Sequence, residues 1–346
     1  MNKRVLSLDL ARGFTVFFIA PIHVMLLYSK PNVRETWTGE VFKFIAEGPG
    51  AQLLMMLLGI SFCLSGKHSF LKTLLKIVGL LLIGYFLNFW KFALPTAMGI
   101  MPTNFMKELA IDTSNKGLIK SMLIGDILHF AAIAILVLYI LKWLFKGHTV
   151  QFALAVLACI LSICYWDMHS TNPYTNYILT LITGQPPQVF FPVLPWIVYP
   201  LIGYVIGSFI KDGSSLLPLL PLGIAISFIG FIISEFFFPC TEVSFYRTCP
   251  GHTILHTGVV LAWLGAWEFI SLKIRHNKIF EFLQYLSRHI TLIYFIQWII
   301  ISWLLTIVGY QTLDFSLTMI ACVLVQVNVL GFAFIINEIR KPILFK

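Results

Sequence analysis

Ten long apolar runs punctuate the chain, near residues 9–29, 49–66, 70–92, 121–145, 149–166, 189–210, 215–238, 253–272, 289–309 and 314–336. Each approaches the roughly 20 apolar residues that cross a hydrocarbon layer as an α-helix. Polar residues collect between the runs rather than alternating within them, so the pattern predicts spanning helices and no strands. The expected fold is an all-α polytopic integral membrane protein of about ten transmembrane helices.

Composition sharpens that picture. The chain is 58% hydrophobic and only 11% charged, whereas an average soluble domain is about 25% charged. So few charges cannot cover a soluble globule of this length, and the solvent must be mostly lipid. Of 24 Lys and Arg residues, alternating connections place sixteen on one face and eight on the other. The richer face holds both termini, which the positive-inside rule assigns to the cytoplasm. The net charge of +9 therefore reads as a topology signal. It shows no aromatic-interleaved groove pattern, so no nucleic-acid partner is expected.

The first run carries Asp9 and Arg12 at its start and continues for a full span, so it reads as a first helix rather than a cleaved leader. Cys63, Cys159, Cys164 and Cys322 lie in apolar runs, where packing accounts for them. Cys240 and Cys249 flank a short loop placed outside, where an oxidising compartment would permit a disulfide.

Ionisable groups at membrane depth are costly and mark candidate sites. Arg12 and His23 are eleven positions apart, which returns to nearly the same helix face roughly 16 Å further along. Asp9, one turn before Arg12, can pair with it. On other runs, Asp126 and His129 fall one turn apart, and Glu47 and Gln52 open the second span. Glu235 closes the seventh span, His252 and His256 open the eighth, and Gln297 sits near the middle of the ninth. Most of these groups fall toward the outer leaflet. Trp196 follows Pro195 in a run that also holds Pro192 and Pro200, which should break the helix there and border a cavity. The spacing of His252 and His256 suits zinc, but no acidic residue follows in the zincin manner, and no metal is expected. The alternative reading makes Asp9 and Arg12 an interfacial anchor and His23 a hydrogen-bonded core residue, but scattered anchors would not gather most of these groups in one leaflet.

The opening Arg4-Val-Leu-Ser-Leu-Asp9-Leu-Ala-Arg12-Gly13, followed by an apolar helix reaching His23, resembles the transmembrane acyltransferase superfamily. That superfamily includes the acyltransferase-3 sugar O-acetyltransferases and the heparan-α-glucosaminide N-acetyltransferase group. Further matches are Glu47-Gly-Pro-Gly50 leading to Leu58-Gly-Ile-Ser61, and Gly125-Asp-Ile-Leu-His129. The segment Phe191-Pro-Val-Leu-Pro-Trp196 continuing to Gly203-Tyr-Val-Ile-Gly207 is most similar to the glucosaminide group. Where related sequences often carry a late His, this chain reads Tyr294-Phe-Ile-Gln297-Trp298.

The resemblance implies one transmembrane acyltransferase domain over residues 1–346, set in a bacterial cytoplasmic membrane. It implies acetyl-CoA as co-substrate, a sugar or glycan acceptor across the bilayer, and a homodimer. Arg12 and Asp9 would then hold CoA at the inner mouth. His23 would act as base or transient acyl carrier, with Asp126 orienting it and His129 nearby. Glu47, Gln52, Trp196, Glu235, His252, His256 and Gln297 would form an outer polar cluster for the acceptor. A transporter or flippase is the competing expectation, because broken helices and buried ionisable groups also mark substrate pathways.

Overall fold

The computed structural model describes residues 5–65, 69–145, 147–237 and 245–340. Arg4 and Cys240 lie outside the described residues. The protein is 79% helical, and among the described residues there are no strands. In order, the main helices are α1 (Leu6–Tyr28), α2 (Trp37–Glu47), α3 (Ala51–Leu64), α4 (Phe70–Asn88), α5 (Ile127–Leu144) and α6 (Thr149–Cys164). They continue as α7 (Val198–Lys211), α8 (Leu219–Ile232), α9 (Pro250–Lys273), α10 (Lys278–Arg288), α11 (Ile290–Val308) and α12 (Phe315–Arg340).

Among the described residues, nine helical segments are long and apolar enough to cross a membrane. The run near 149–166 is a tenth, shorter apolar helix, α6. Helices suit this setting because every backbone polar group must be satisfied within the segment when no water is present. Three segments expected as loops contain helices as well. Residues 37–47 form α2, 94–122 contain the short helices Leu94–Ala97, Thr103–Glu108 and Asn115–Met122, and 167–188 contain the helix Pro173–Thr183.

The chain divides into two compact units. The first comprises Met1–Leu8, Glu47–Phe86 and Leu123–Arg275. Its tightest crossing joins α3 to α7 through glycines. A Cβ on Gly59 would meet the Pro200 carbonyl oxygen at 2.0 Å, and one on Gly203 would meet that of Met56 at 2.0 Å. Small residues let backbones approach closely where lipid offers no hydrophobic drive for helices to associate. α8 and α9 cross in the same manner, with Gly223 against Ala262 N and Gly230 against Leu255 N. The Glu268 carboxylate, late in α9, accepts from Ser7 Oγ at 3.0 Å, Ser215 Oγ at 3.0 Å and Leu216 N at 3.2 Å.

The second unit comprises Asp9–Ala46, Leu87–Met122 and His276–Lys346. Here α1 is held at both ends. Its start meets α10, whose buried face is Phe280, Leu283 and Leu286, spaced one helical turn apart. At its end, the backbone of Gln311 and Leu313 donates to Leu27 and Tyr28 carbonyls at 2.9 and 2.8 Å, and Lys30 N donates back to Leu313 O at 2.9 Å. The buried Tyr28 hydroxyl adds a 2.7 Å bond to the Ile301 carbonyl.

Candidate active site

The sequence-derived residues divide between the two units. Asp9, Arg12, His23 and Gln297 belong to the second, and the other eight belong to the first.

In the second unit, Arg12 and His23 lie on one continuous helix, as their spacing requires. Arg12 Nη1 is 3.4 Å from Asp9 Oδ1, the expected one-turn pair. α10 contributes what the sequence did not reveal. Ser287 Oγ donates to Asp9 Oδ1 at 2.8 Å and lies 3.3 Å from Arg12 Nη1. This close approach depends on Gly13, because a Cβ there would lie 2.0 Å from the Leu283 carbonyl oxygen. Asp9 is 5% exposed, so the carboxylate and guanidinium form a largely desolvated pair. Further along α1, the half-buried His23 packs its ring on Trp298 of α11, with centroids 4.3 Å apart and planes tilted by 40°.

Gln297, beside Trp298, is fully buried, and neither atom of its amide has a hydrogen-bond partner among the described residues. Buried polar groups are nearly always paired, so an orphaned amide of this kind points to an absent ligand or water. Lys91 lies in the π-helical turn Phe89–Ala93 that extends α4. It is 2% exposed, with its ammonium 4.3 Å from the centroid of the same Trp298 ring. The sequence reading counted Lys91 with the outer face, at the end of the run near 70–92, and did not single it out. Its signal was its setting among aromatics in Phe89-Trp-Lys91-Phe92.

In the first unit, Asp126 is the N-cap of α5 rather than a residue within the span. Its carboxylate accepts from Ile127 N at 2.7 Å, and its own N–H donates to His129 Nδ1 at 3.1 Å, a reciprocal capping box. Asp126→Ala should therefore lower stability by about 1 kcal/mol through loss of the cap. Asp126→Asn, which preserves the cap acceptor, should melt close to wild type. Thermal unfolding of the two purified variants checks this. The Tyr85 ring packs on the His129 ring at 4.4 Å.

Gln52 is fully buried and donates to the Glu47 carbonyl at 2.7 Å, so these two are brought together as the sequence suggested. Trp196 is 1% exposed, and its indole N–H donates to the Tyr246 carbonyl at 2.8 Å. Leu194, at φ −97° and ψ 123°, breaks the helix just before it, as the prolines predicted. Phe191, Tyr199 and Phe245 surround the indole with ring centroids 4.7, 5.5 and 5.5 Å away. Burial pushes the Tyr246 phenol up from its ordinary value, and the carboxylates of Asp126 and Glu47 push it further.

His252 and His256 keep their one-turn relation, with ring centroids 6.5 Å apart. His252 Nδ1 lies 3.3 Å from Cys249 Sγ. Cys249 is disulfide-bonded. Glu235, in the π-helical turn Ile233–Phe237, is exposed, unlike the buried Gln52, Asp126 and His129. Arg247 went unnoticed in the sequence. Its guanidinium stacks 3.7 Å from the Trp166 ring centroid and donates to Gln185 Oε1 at 2.5 Å, while Gln185 Nε2 donates to Asp167 at 2.9 Å.

Comparison with known proteins adds one finding. Residues 4–232 match the family described as heparan-alpha-glucosaminide N-acetyltransferase, catalytic. Neither a curated protein nor a solved structure gives a match. The matched region covers more than half of the chain, runs through segments of both units, and includes Arg12, His23, Asp126 and Trp196. The chain therefore belongs to the heparan-alpha-glucosaminide N-acetyltransferase catalytic family and is a membrane-embedded acetyltransferase.

Proposed function

We propose that this protein moves an acetyl group from cytosolic acetyl-CoA to a sugar amine or hydroxyl on the far side of the membrane. The observation that carries this reading is the placement of Arg12 and His23 on one helix, roughly 16 Å apart along its axis, within the family match. Both termini are cytoplasmic in this proposal, supported by the sixteen-to-eight division of Lys and Arg. Arg12 then lies at the cytoplasmic mouth. Its planar guanidinium suits a phosphate of CoA, which it can engage through two parallel N–H bonds. Asp9 and Ser287 hold the guanidinium in place until the phosphate arrives.

The thioester end reaches His23. There the imidazole removes the proton from the attacking amine or hydroxyl, or takes the acetyl group briefly itself. Fixing donor and acceptor beside one imidazole supplies the proximity that a bimolecular reaction lacks.

The test uses detergent-purified protein and acetyl-CoA. Wild type should release CoA and acetylate an amino sugar without a sealed membrane. Acetyl-CoA should also raise its melting temperature, because a ligand that binds only the folded state stabilises it by mass action. Arg12→Ala should retain the fold and lose most of that shift. A protein that binds no acetyl-CoA, or that moves sugar only across sealed vesicles, would sink the enzyme reading and favour transport.

A further inference from the structure

Lys91 is the only Lys or Arg among the described residues that is buried. A lysine near a span end ordinarily extends its ammonium to water along its flexible stem. Lys91 does not. Its π-helical turn directs the side chain inward, and such single-turn π segments occur often at functional sites. The ammonium rests 4.3 Å from the Trp298 centroid and 4.5 Å from that of Phe92. The His23 imidazole shares the Trp298 ring at 4.3 Å. One indole therefore carries both an imidazole and a cation, each 4.3 Å from the centroid of its ring.

Three orphaned polar groups lie on the same two chain segments. The Trp298 indole N–H, both amide atoms of Gln297, and the hydroxyl of the fully buried Thr96 have no partner among the described residues. Unpaired buried polar groups are rare enough to need a cause. A polar ligand or an ordered water on these segments supplies one. A span-end anchor would explain a cation on an aromatic ring, but not the burial of its head.

We propose that Lys91 is a catalytic residue whose ammonium faces the acyl carbonyl oxygen and stabilises the negative charge that develops there. The proposal rests on the reading of His23 as the acetyl-transfer base. The acceptor nitrogen or oxygen bonds to the thioester carbon while its proton passes to the His23 imidazole. The carbonyl π pair moves onto oxygen, and that charge meets the Lys91 ammonium, which keeps its own protons. The pair then returns, the carbon–sulfur bond breaks, and the departing thiolate takes the proton from His23. A fixed cation in a site sheltered from water acts strongly on charge that appears only in the transition state.

The experiment follows CoA release from acetyl-CoA with glucosamine as acceptor, using detergent-purified wild type, Lys91→Gln, Lys91→Arg and His23→Ala. Lys91→Gln should lower kcat by about 10²–10³, the usual effect of removing one oxyanion partner, with KM for acetyl-CoA within about twofold of wild type. Lys91→Arg should recover at least about tenfold of that loss, because the charge is what matters. Melting temperatures should stay near wild type. A kcat for Lys91→Gln within about threefold of wild type would overturn the proposal, as would a change confined to KM. Failure of Lys91→Gln to fold would also overturn it, by making Lys91 a structural cation. Inactive His23→Ala beside active Lys91→Gln removes only this inference. Active His23→Ala, or a wild type that releases no CoA, removes the underlying reading and this inference with it.

Discussion

Gly203→Val is expected to destabilise the protein by at least about 3 kcal/mol, the upper end of ordinary overpacking. The reason is what a side chain would meet. Its first carbon would lie 2.0 Å from the Met56 carbonyl oxygen, which is backbone and cannot rotate away. One turn along, Gly207 faces Cys63 Cβ at 2.7 Å, and Gly59 reciprocates from α3 against Pro200. The two helices would have to separate along the whole seam, losing packing that lipid does not replace. Gly79→Ala and Gly331→Ala serve as controls, since nothing lies within 4 Å of a Cβ at either position. Both should be neutral or slightly stabilising, because alanine restricts the unfolded chain and favours helix. Thermal unfolding in one detergent compares all four proteins. A Gly203→Val protein that melts with the controls would mean that the α3–α7 crossing is not rigid.

The same seam shows what a sequence can and cannot tell. Gly203 and Gly207 were visible as part of a family-like segment, but their reason is a close helix crossing that no pattern along one chain states. The spans themselves were legible because run length is a direct physical requirement of the bilayer. α2 was not. Glu40 and Lys43 interrupt its apolar residues, so it read as loop, although it forms an eleven-residue helix. Lys91 was passed over as a span-end lysine for a related reason. Its run was taken to end near residue 92, whereas a π-helical turn and a further short helix carry the segment on to Ala97.

Within the candidate site, local relations survived and distant ones were invisible. The Asp9–Arg12 pair follows from one helical turn. Ser287, 278 positions from Asp9, is a neutral residue whose role exists only once α10 meets α1. Asp126 and His129 were rightly associated, yet their relation is that of a cap to its helix start, which local sequence encodes as readily as a catalytic pair. Trp298 was noticed only as the residue after Gln297, near the middle of its span. Its importance comes from the two charged or chargeable groups that converge on its ring.

His23→Ala is expected to reduce acetyl transfer by at least about 10²–10⁴, the contribution usual for a positioned general base. If the imidazole carries the acetyl group, no such route remains and the loss is complete. The structural penalty should be small by comparison. His23 is half-buried, and the loss of its ring contact with Trp298 removes about 0.5–1.5 kcal/mol. α1 stays tied through Ser287 at one end and through Gln311 and Leu313 at the other. The variant should therefore insert, purify and melt within a few degrees of wild type, and should still bind acetyl-CoA through Arg12. Incubation with radiolabelled acetyl-CoA in the absence of acceptor separates the two roles. Label retained on wild type and absent from His23→Ala identifies an acyl carrier. An unlabelled wild type that nonetheless transfers to an added amino sugar identifies a base. Undiminished transfer by a well-folded His23→Ala protein would remove His23 from the chemistry altogether.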